Sequence, residues 1–319
     1  MNSRNDKKSI EPRDLVKICY LYYREGKTQE EISSLYGLSR FKIIRLLKEA
    51  RDRGLVTIQI NDPTENLTEI EVRLAKRFGL REAVVVRDGE FSGRSLVDRI
   101  GEAGAHYLAG VIDRYKVLGV AWGQTLSHLV KNVKPVEVKG LIVVQISGGL
   151  GTIEGADTSI LTMTLSQKLG GTPYILQAPV IVKDRVIRDS LLREKKIAET
   201  LAMARTSEMA LLGIGACDPG GGLWKAGLLD EKVLTKLKKR GAVGAICSRF
   251  YTIDGERCHT DLDDRIVGIT LDELSRIKHK VGVAFGQEKR DAILGALRGG
   301  FLDVLITDEK TAESLLEQT

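Results

Sequence analysis

Eight short apolar runs, separated by stretches of helical periodicity, restrict what this chain can become more than any other feature. The runs fall at residues 83–86, 117–121, 141–146, 173–176, 209–214, 243–247, 281–284 and 302–306. The helical stretches fall at 95–109, after Trp122 through Val130, and at 158–169, 189–203, 231–239, 271–277, 290–297 and 309–316. Continuous Val/Ile/Leu strands between helices predict a mostly parallel sheet covered on both faces, a doubly wound α/β domain. In such a sheet ligands sit beyond the carboxyl ends of the strands. Three strands here end in loops rich in glycine: WGQT at 122–125, SGGLGT at 147–152 and GACDPGGG at 215–222. Glycine lets backbone N–H groups approach an anion, and a following helix adds the positive end of its dipole.

Candidate ligand residues follow from those loops. Gln124, Thr125 and Ser147 can donate from their side chains, and Lys289 and Arg290 open a helix after VGVA, a place suited to phosphate. The spacing is neither the dinucleotide fingerprint nor a P-loop, so no cofactor is expected. At this level two readings stay open: a small phosphorylated ligand, or glycines that only make tight turns beside a solvated Lys289.

Residues 28–53, TQEEISSLYGLSRFKIIRLLKEARDR, have a different character. Thr28 and Glu31 have the spacing of a capping box. Ile32 and Leu35 give the first helix an apolar side, Gly37 suits a sharp turn, Leu38 can plug a core and Ser39 can cap a second helix. In that helix Ile43, Leu46, Leu47 and Ala50 recur at helical spacing, while Arg40, Lys42, Arg45, Lys48 and Arg51 occupy the other side. This is the pattern of a helix-turn-helix whose second helix enters the DNA major groove. Ser39, Arg40, Lys42 and Ile43 are the candidates for base edges. Arg45, Lys48 and Arg51 are the candidates for phosphates, with Thr28 and Gln29 at the start of the preceding helix. Leu15, Ile18, Cys19 and Tyr22 form one face of a helix upstream, and residues 54–60 alternate like a strand, which makes the motif a winged one. The bland alternative is a solvated basic face on an ordinary helical hairpin.

Charge separates the two regions. Of the 49 basic and 43 acidic residues, 13 and 8 lie in residues 1–60, leaving a nearly balanced 36 and 35 in the remainder. Excess positive charge on the short region would meet phosphates and release counterions. Asn61-Asp62-Pro63 breaks the chain after the wing, so the expected domains are 1–60, a winged helix-turn-helix, and 61–319, a ligand-binding α/β domain. A helix expected over 64–78 is either a connector or dimer-forming element, or the ordinary first helix of the second domain.

Cys19, Cys217, Cys247 and Cys258 lack paired metal-ligand spacing and are expected to be free thiols. His106, His128, His259 and His279 form no paired motif. No apolar run reaches spanning length, and the polar MNSRNDKKS start is not a signal peptide, so a cytoplasmic protein without a membrane partner is expected. The rival to a DNA-binding regulator is a sugar-phosphate isomerase or deaminase with an added DNA module. Such chemistry needs a poised general base, and Asp218, Asp261, Asp263 and Asp264 stand in no motif that singles one out.

The chain resembles the SorC family of bacterial sugar-responsive transcription regulators over nearly its whole length. The marks are GKTQEEISSLYGLSRFKIIRLLKEARDRGLV at 26–56, then WGQT, VVQISGG at 143–149, LLGIGA at 211–216, GAVG at 241–244 and EKRDAILGALRGGFLDVLITDEKTA at 288–312. The resemblance implies an effector domain similar to sugar-phosphate isomerases and deaminases, but with no catalysis. It implies a homodimer or homotetramer that changes its hold on double-stranded operator DNA when a phosphorylated sugar binds. It places the effector at Gly123, Gln124 and Thr125, at Ser147, Gly148 and Gly149, and at Lys289. Two positions depart from the family pattern. Many relatives carry an acidic residue where Ala245 stands, and relatives tend to read Gly-Gly before the lysine, where this chain has Phe285-Gly286-Gln287.

Overall fold

The computed structural model describes residues 11–56, 67–89, 94–151 and 157–317. The expected wing residues 57–60 and the boundary at 61–63 lie outside them. The chain divides into two compact units, residues 1–63 and 64–319.

The first unit contains α1 (Pro12–Tyr23), α2 (Gln29–Tyr36) and α3 (Arg40–Asp52). Thr28 closes a capping box on α2: its hydroxyl accepts the Glu31 N–H at 3.2 Å, while its own N–H donates to Glu31 Oε2 at 2.7 Å. Gly37 ends α2 at φ 62°, in the left-handed region that glycine tolerates. The Ser39 hydroxyl then caps α3 by accepting the Lys42 N–H at 3.3 Å. Leu15, Ile18 and Cys19 of α1, Ile32 of α2, Leu38 of the turn and Ile43, Leu46, Leu47 and Ala50 of α3 form one core. Leu35 does not join it. This side chain is 64% exposed, and Leu38 takes the interior place instead.

The second unit runs α4 (Leu67–Phe78), β1 (Glu82–Val86), α5 (Leu96–Val111), β2 (Val117–Val120), α6 (Gln124–Asn132), β3 (Ile142–Gln145), α7 (Thr158–Leu169) and β4 (Thr172–Tyr174). It continues with α8 (Arg185–Arg193), α9 (Lys195–Arg205), β5 (Met209–Gly213), β6 (Gly215–Ala216), α10 (Gly222–Lys225), α11 (Glu231–Lys239), β7 (Ala242–Ile246) and β8 (Arg249–Thr252). It closes with α12 (Leu271–Ser275), β9 (His279–Val283), α13 (Arg290–Arg298), β10 (Val304–Asp308) and α14 (Glu309–Leu316).

Seven strands form one sheet in the order β1-β10-β9-β5-β2-β3-β4, all parallel. This is the doubly wound α/β architecture, and its central strands are apolar throughout because both faces are covered. Helix α5 packs on α6 through its small residues. A Cβ added at Gly101 would lie 2.7 Å from the His128 backbone, and one at Gly104 would lie 2.6 Å from Leu129.

Two segments differ from expectation. The helix expected over 189–203 is two helices, broken where Glu194 turns extended at φ −63°, ψ 125°. The break turns Ile197, Leu201 and Ala204 of α9 inward, while Leu191 and Leu192 of α8 pack partly on a small core with Leu176, Val182 and Val267. The strand at 243–247 belongs not to the main sheet but to a separate antiparallel one, β6-β7-β8. That accessory sheet has its own core, which includes Cys217, Leu223, Leu229, Ala245 and Phe250.

Candidate functional site

The chain leaves β2 toward β3 and β4 on one side of the sheet, and leaves β5 toward β9 and β10 on the other. The carboxyl ends of β2 and β5 therefore flank the crevice where such folds bind ligands. A cavity of about 790 Å³ opens there. It is lined by Trp122, Gly123, Gln124 and Thr125 after β2, by residues 213–216 after β5, and by Phe285, Glu288 and Lys289 after β9. The accessory sheet closes another wall with Ala245, Cys247 and Phe250.

Gly123 opens α6 at φ 153°, a conformation that favours glycine, and no side chain caps the helix. Its first N–H groups are thus available to an anion. Lys289 sits in a tight turn, residues 287–289, with its ammonium 5.7 Å from the centre of the Phe285 ring. Burial pulls its pKa below the ordinary lysine value; Glu288 opposes that and Lys225 adds to it. The turn is held from outside the cavity. The Gly286 N–H donates to Asp308 Oδ1 at 3.0 Å and to Thr311 Oγ1 at 3.1 Å, and Asp308 also caps α14 by accepting the Thr311 N–H.

Gly123, Gln124, Thr125 and Lys289 thus come together at one cavity. Ser147, Gly148 and Gly149 do not join them. The Gly148 N–H donates to the Val267 carbonyl and the Gly149 N–H to that of Ala178, both at 2.9 Å, while Ser147 bridges to Gly268 and is fully buried. A Cβ on Gly148 would come within 2.6 Å of the Pro179 backbone. Gly148 is small because a main chain approaches there, whereas a Cβ on Gly149 would lie 3.2 Å from Asp157 Oδ2. Gly149 lines a second cavity of about 610 Å³, but none of the three residues lines this one. The loop reaches the cavity only further on, at Leu150 and Gly151, whose N–H groups donate to Asp157 Oδ2 at 2.7 and 3.3 Å. Burial works against the charge of Asp157, but these bonds and two from Ser159 outweigh it and hold its carboxyl below the usual range.

Other cavity residues carry weaker sequence signals. The Trp122 indole N–H donates to Ser248 Oγ at 3.3 Å, and its ring lies so close to Gly222 that a Cβ there would be 2.7 Å away. Cys247 and Ser248 form the two-residue tip of the β7–β8 hairpin at φ 50° and 63°, without the Asn or Gly that usually marks such a turn. Burial pushes the Cys247 thiol up to about 12, so it stays protonated. No histidine lines the cavity. Of the four carboxylates weighed as general bases only Asp218 does, and its Oδ1 accepts the Gly220 N–H at 2.7 Å. Asp261 is paired with Lys236 and Asp263 with Arg249. Among the described residues no cluster of His, Cys, Asp or Glu is arranged to hold a metal, and no helix is long and apolar enough to cross a membrane.

In the first unit α3 exposes Arg40, Phe41, Ile44, Arg45, Lys48 and Arg51, with Lys42 half-buried. Ile43 is wholly buried in the core between α1, α2 and α3 and cannot reach a base edge, which corrects its assignment. Phe41, 79% exposed, is the apolar side chain presented at that end. Arg40 Nε donates to Gln29 Oε1 at 3.3 Å, which joins the starts of α2 and α3. The Thr28 hydroxyl already donates to Glu31 Oε2 at 2.8 Å, so it has no proton to offer a phosphate.

The comparisons with known proteins agree on one family. Residues 62–317 match the family model described as "Putative sugar-binding domain". The chain is 33% identical over 302 residues to the uncharacterized transcriptional regulator YjhU of Escherichia coli K12, covering 93% of this chain and 92% of that one. It is 32% identical over 310 residues to the sorbitol operon regulator of Klebsiella pneumoniae, covering 96% and 98%. The crystal structure of the full-length sorbitol operon regulator SorC from Klebsiella pneumoniae superposes with a TM-score of 0.75 at 30% identity, covering 96% of this chain and 99% of that chain. A sugar-binding domain that fills most of the chain, and regulators matched over almost their full length, leave one conclusion: this protein is a transcriptional regulator of the SorC family.

Proposed function

We propose that the cavity at the switch point binds a phosphorylated sugar, and that its occupancy changes how the first unit holds operator DNA. One observation carries this reading: the uncapped start of α6 and the Lys289 ammonium line the same cavity. The N–H groups of Gly123, Gln124 and Thr125 take the phosphate oxygens, and Lys289 supplies the countercharge. Its lowered pKa reflects a charge held out of water, which a dianion relieves.

On the DNA side, residues 1–60 form the binding domain and 61–319 the effector domain. The start of α3 enters the major groove, where Ser39, Arg40 and Lys42 read base edges. Arg45, Lys48 and Arg51, with Gln29 from α2, hold phosphates. A homodimer or homotetramer in the cytoplasm presents two such helices about 34 Å apart on a near-palindromic site. Binding rather than turnover is favoured by a cavity whose lining holds no histidine and whose two carboxylates, Asp218 and Glu288, act as countercharges to the Lys289 ammonium.

The test is thermal unfolding and DNA-binding anisotropy on the full chain, with a panel of sugar phosphates and their dephosphorylated forms. A phosphorylated member should raise the melting temperature and shift the DNA-binding midpoint, because a ligand moves an equilibrium only through unequal affinity for two states. Equal effects from phosphorylated and dephosphorylated sugars would remove the phosphate from the reading.

A further inference from the structure

We propose that the ligand turns a deoxygenated, apolar flank toward the accessory sheet, and that Ala245 and Cys247 set this preference. The inference rests on the sugar-phosphate reading above and narrows its ligand class.

The cavity has two unlike walls. The main-sheet wall offers Gln124, Thr125 and Lys289, all able to donate hydrogen bonds. The opposite wall comes from the accessory sheet and its hairpin tip, and presents Ala216, Ala245, Cys247 and Phe250. Ala245 and Phe250 belong to the accessory core, against which Trp122 and Leu150 also pack, so this wall is the exposed edge of an apolar cluster. A methyl group cannot bond a hydroxyl, and a neutral thiol does so only weakly. Asp218 and Lys225 also line the cavity, from the loop after β6 and from α10, but neither lies on the accessory strands that carry Ala245 and Phe250; Asp218 Oδ1 accepts the Gly220 N–H, and Lys225 is exposed.

A hydroxyl pressed against this wall would leave its water partners and gain none, which is costly. A CH₂ in the same place would bury apolar surface against Ala245 and Phe250. Side-chain donors on one wall and apolar groups on the other thus fit a sugar phosphate that carries its anion toward α6 and lacks a hydroxyl on its far side.

Isothermal titration of the full chain decides this, with ribose 5-phosphate against 2-deoxyribose 5-phosphate, glucose 6-phosphate against 2-deoxyglucose 6-phosphate, and inorganic phosphate as reference. In at least one pair the deoxy member should bind about tenfold tighter or more, the scale on which a pocket separates ligands differing by one such group. Ala245→Asp places a carboxylate acceptor on the apolar wall and should close or reverse the gap, and Ala245→Ser should narrow it with less disturbance to folding. Equal or weaker binding of the deoxy member in both pairs overturns the inference and leaves the sugar-phosphate reading standing. A gap that persists unchanged in the folded Ala245 variants removes that residue from the assignment. Failure of every sugar phosphate to bind more tightly than inorganic phosphate overturns both.

Discussion

Acid should weaken the ligand-binding unit through His279, by an amount the structure allows to be worked out. His279 opens β9, is 1% exposed and lies between two tyrosines. Tyr107 Oη is 2.9 Å from Nε2, and Tyr115 Oη is hydrogen-bonded to Nδ1. A neutral imidazole donates through one nitrogen and accepts through the other, which suits two hydroxyls that can each do either. Burial, with the positive charge of Arg81, lowers the pKa from 6.5 to about 4, against the opposing pull of Asp303. Between those two values the unfolded chain binds a proton that the native one refuses. Stability is therefore full above the unfolded value and falls as the pH drops toward the folded one. The loss is about 2 kcal/mol by pH 5 and approaches about 3 kcal/mol below the folded value, a large share of the ~5–15 kcal/mol typical of a domain.

Urea unfolding followed by tryptophan emission measures this directly. The chain has two tryptophans, Trp122 and Trp224, and both lie in the second unit, so the signal reports on that unit. His279→Gln keeps a donor and an acceptor between the tyrosines but cannot titrate. Between about pH 8 and about pH 5 the native protein should lose about 2 kcal/mol more than this variant, while carboxylates common to both cancel. Parallel stability curves for the two proteins would refute the assignment.

Three further outcomes are expected. Arg40→Ala should change which operator sequences bind, whereas Lys48→Ala should weaken all sequences alike and reduce the salt slope by about 1; identical uniform losses in competition anisotropy would cancel the division of roles. Gly148→Ala should cost about 1–3 kcal/mol in chemical denaturation, because the new methyl meets the fixed Pro179 backbone, and should leave ligand affinity of the folded protein nearly unchanged; a lost affinity at full stability would return this loop to the site. Asp308→Ala should weaken ligand binding although Asp308 does not line the cavity, because it frees the Gly286 N–H that holds the Lys289 turn; the same loss in Thr311→Val would support the positioning role, and unaltered titrations in both would exclude it.

What could be read from the sequence was local. The capping box at Thr28 and Glu31, the turn at Gly37 and the cap at Ser39 depend on residues within three or four positions, and all stand in the structure as read. Ile43 shows the limit of pattern reading. Its helical phase with Leu46, Leu47 and Ala50 already pointed inward, and its nearness to the helix start was a weaker argument for a base contact. The break at Glu194 has no Gly or Pro to announce it, since it answers to packing in three dimensions. The accessory sheet was illegible because β6 has two residues and the hairpin tip is Cys-Ser. Gly148 shows a deeper limit: backbone approaching an anion and backbone approaching backbone demand the same residue, and in the structure its N–H meets the Val267 carbonyl.

The partner also decides what Lys289 can transmit. Its turn is tied through Gly286 to Asp308 and Thr311, at the amino end of α14. At the carboxyl end of α14 the Leu316 carbonyl accepts a hydrogen bond from Arg77 Nη1 of α4 at 2.6 Å, and α4 and α14 pack together. Helix α4 is the first described element after the first unit in sequence. One short helix thus joins the Lys289 turn to the first described helix of the second unit. A rigid element fastened at both ends cannot absorb a shift at one end by bending locally. On the proposed reading, in which the phosphate meets Lys289, the energy a ligand could deliver to α4 through α14 would be limited to the difference in its affinity for two arrangements of that helix.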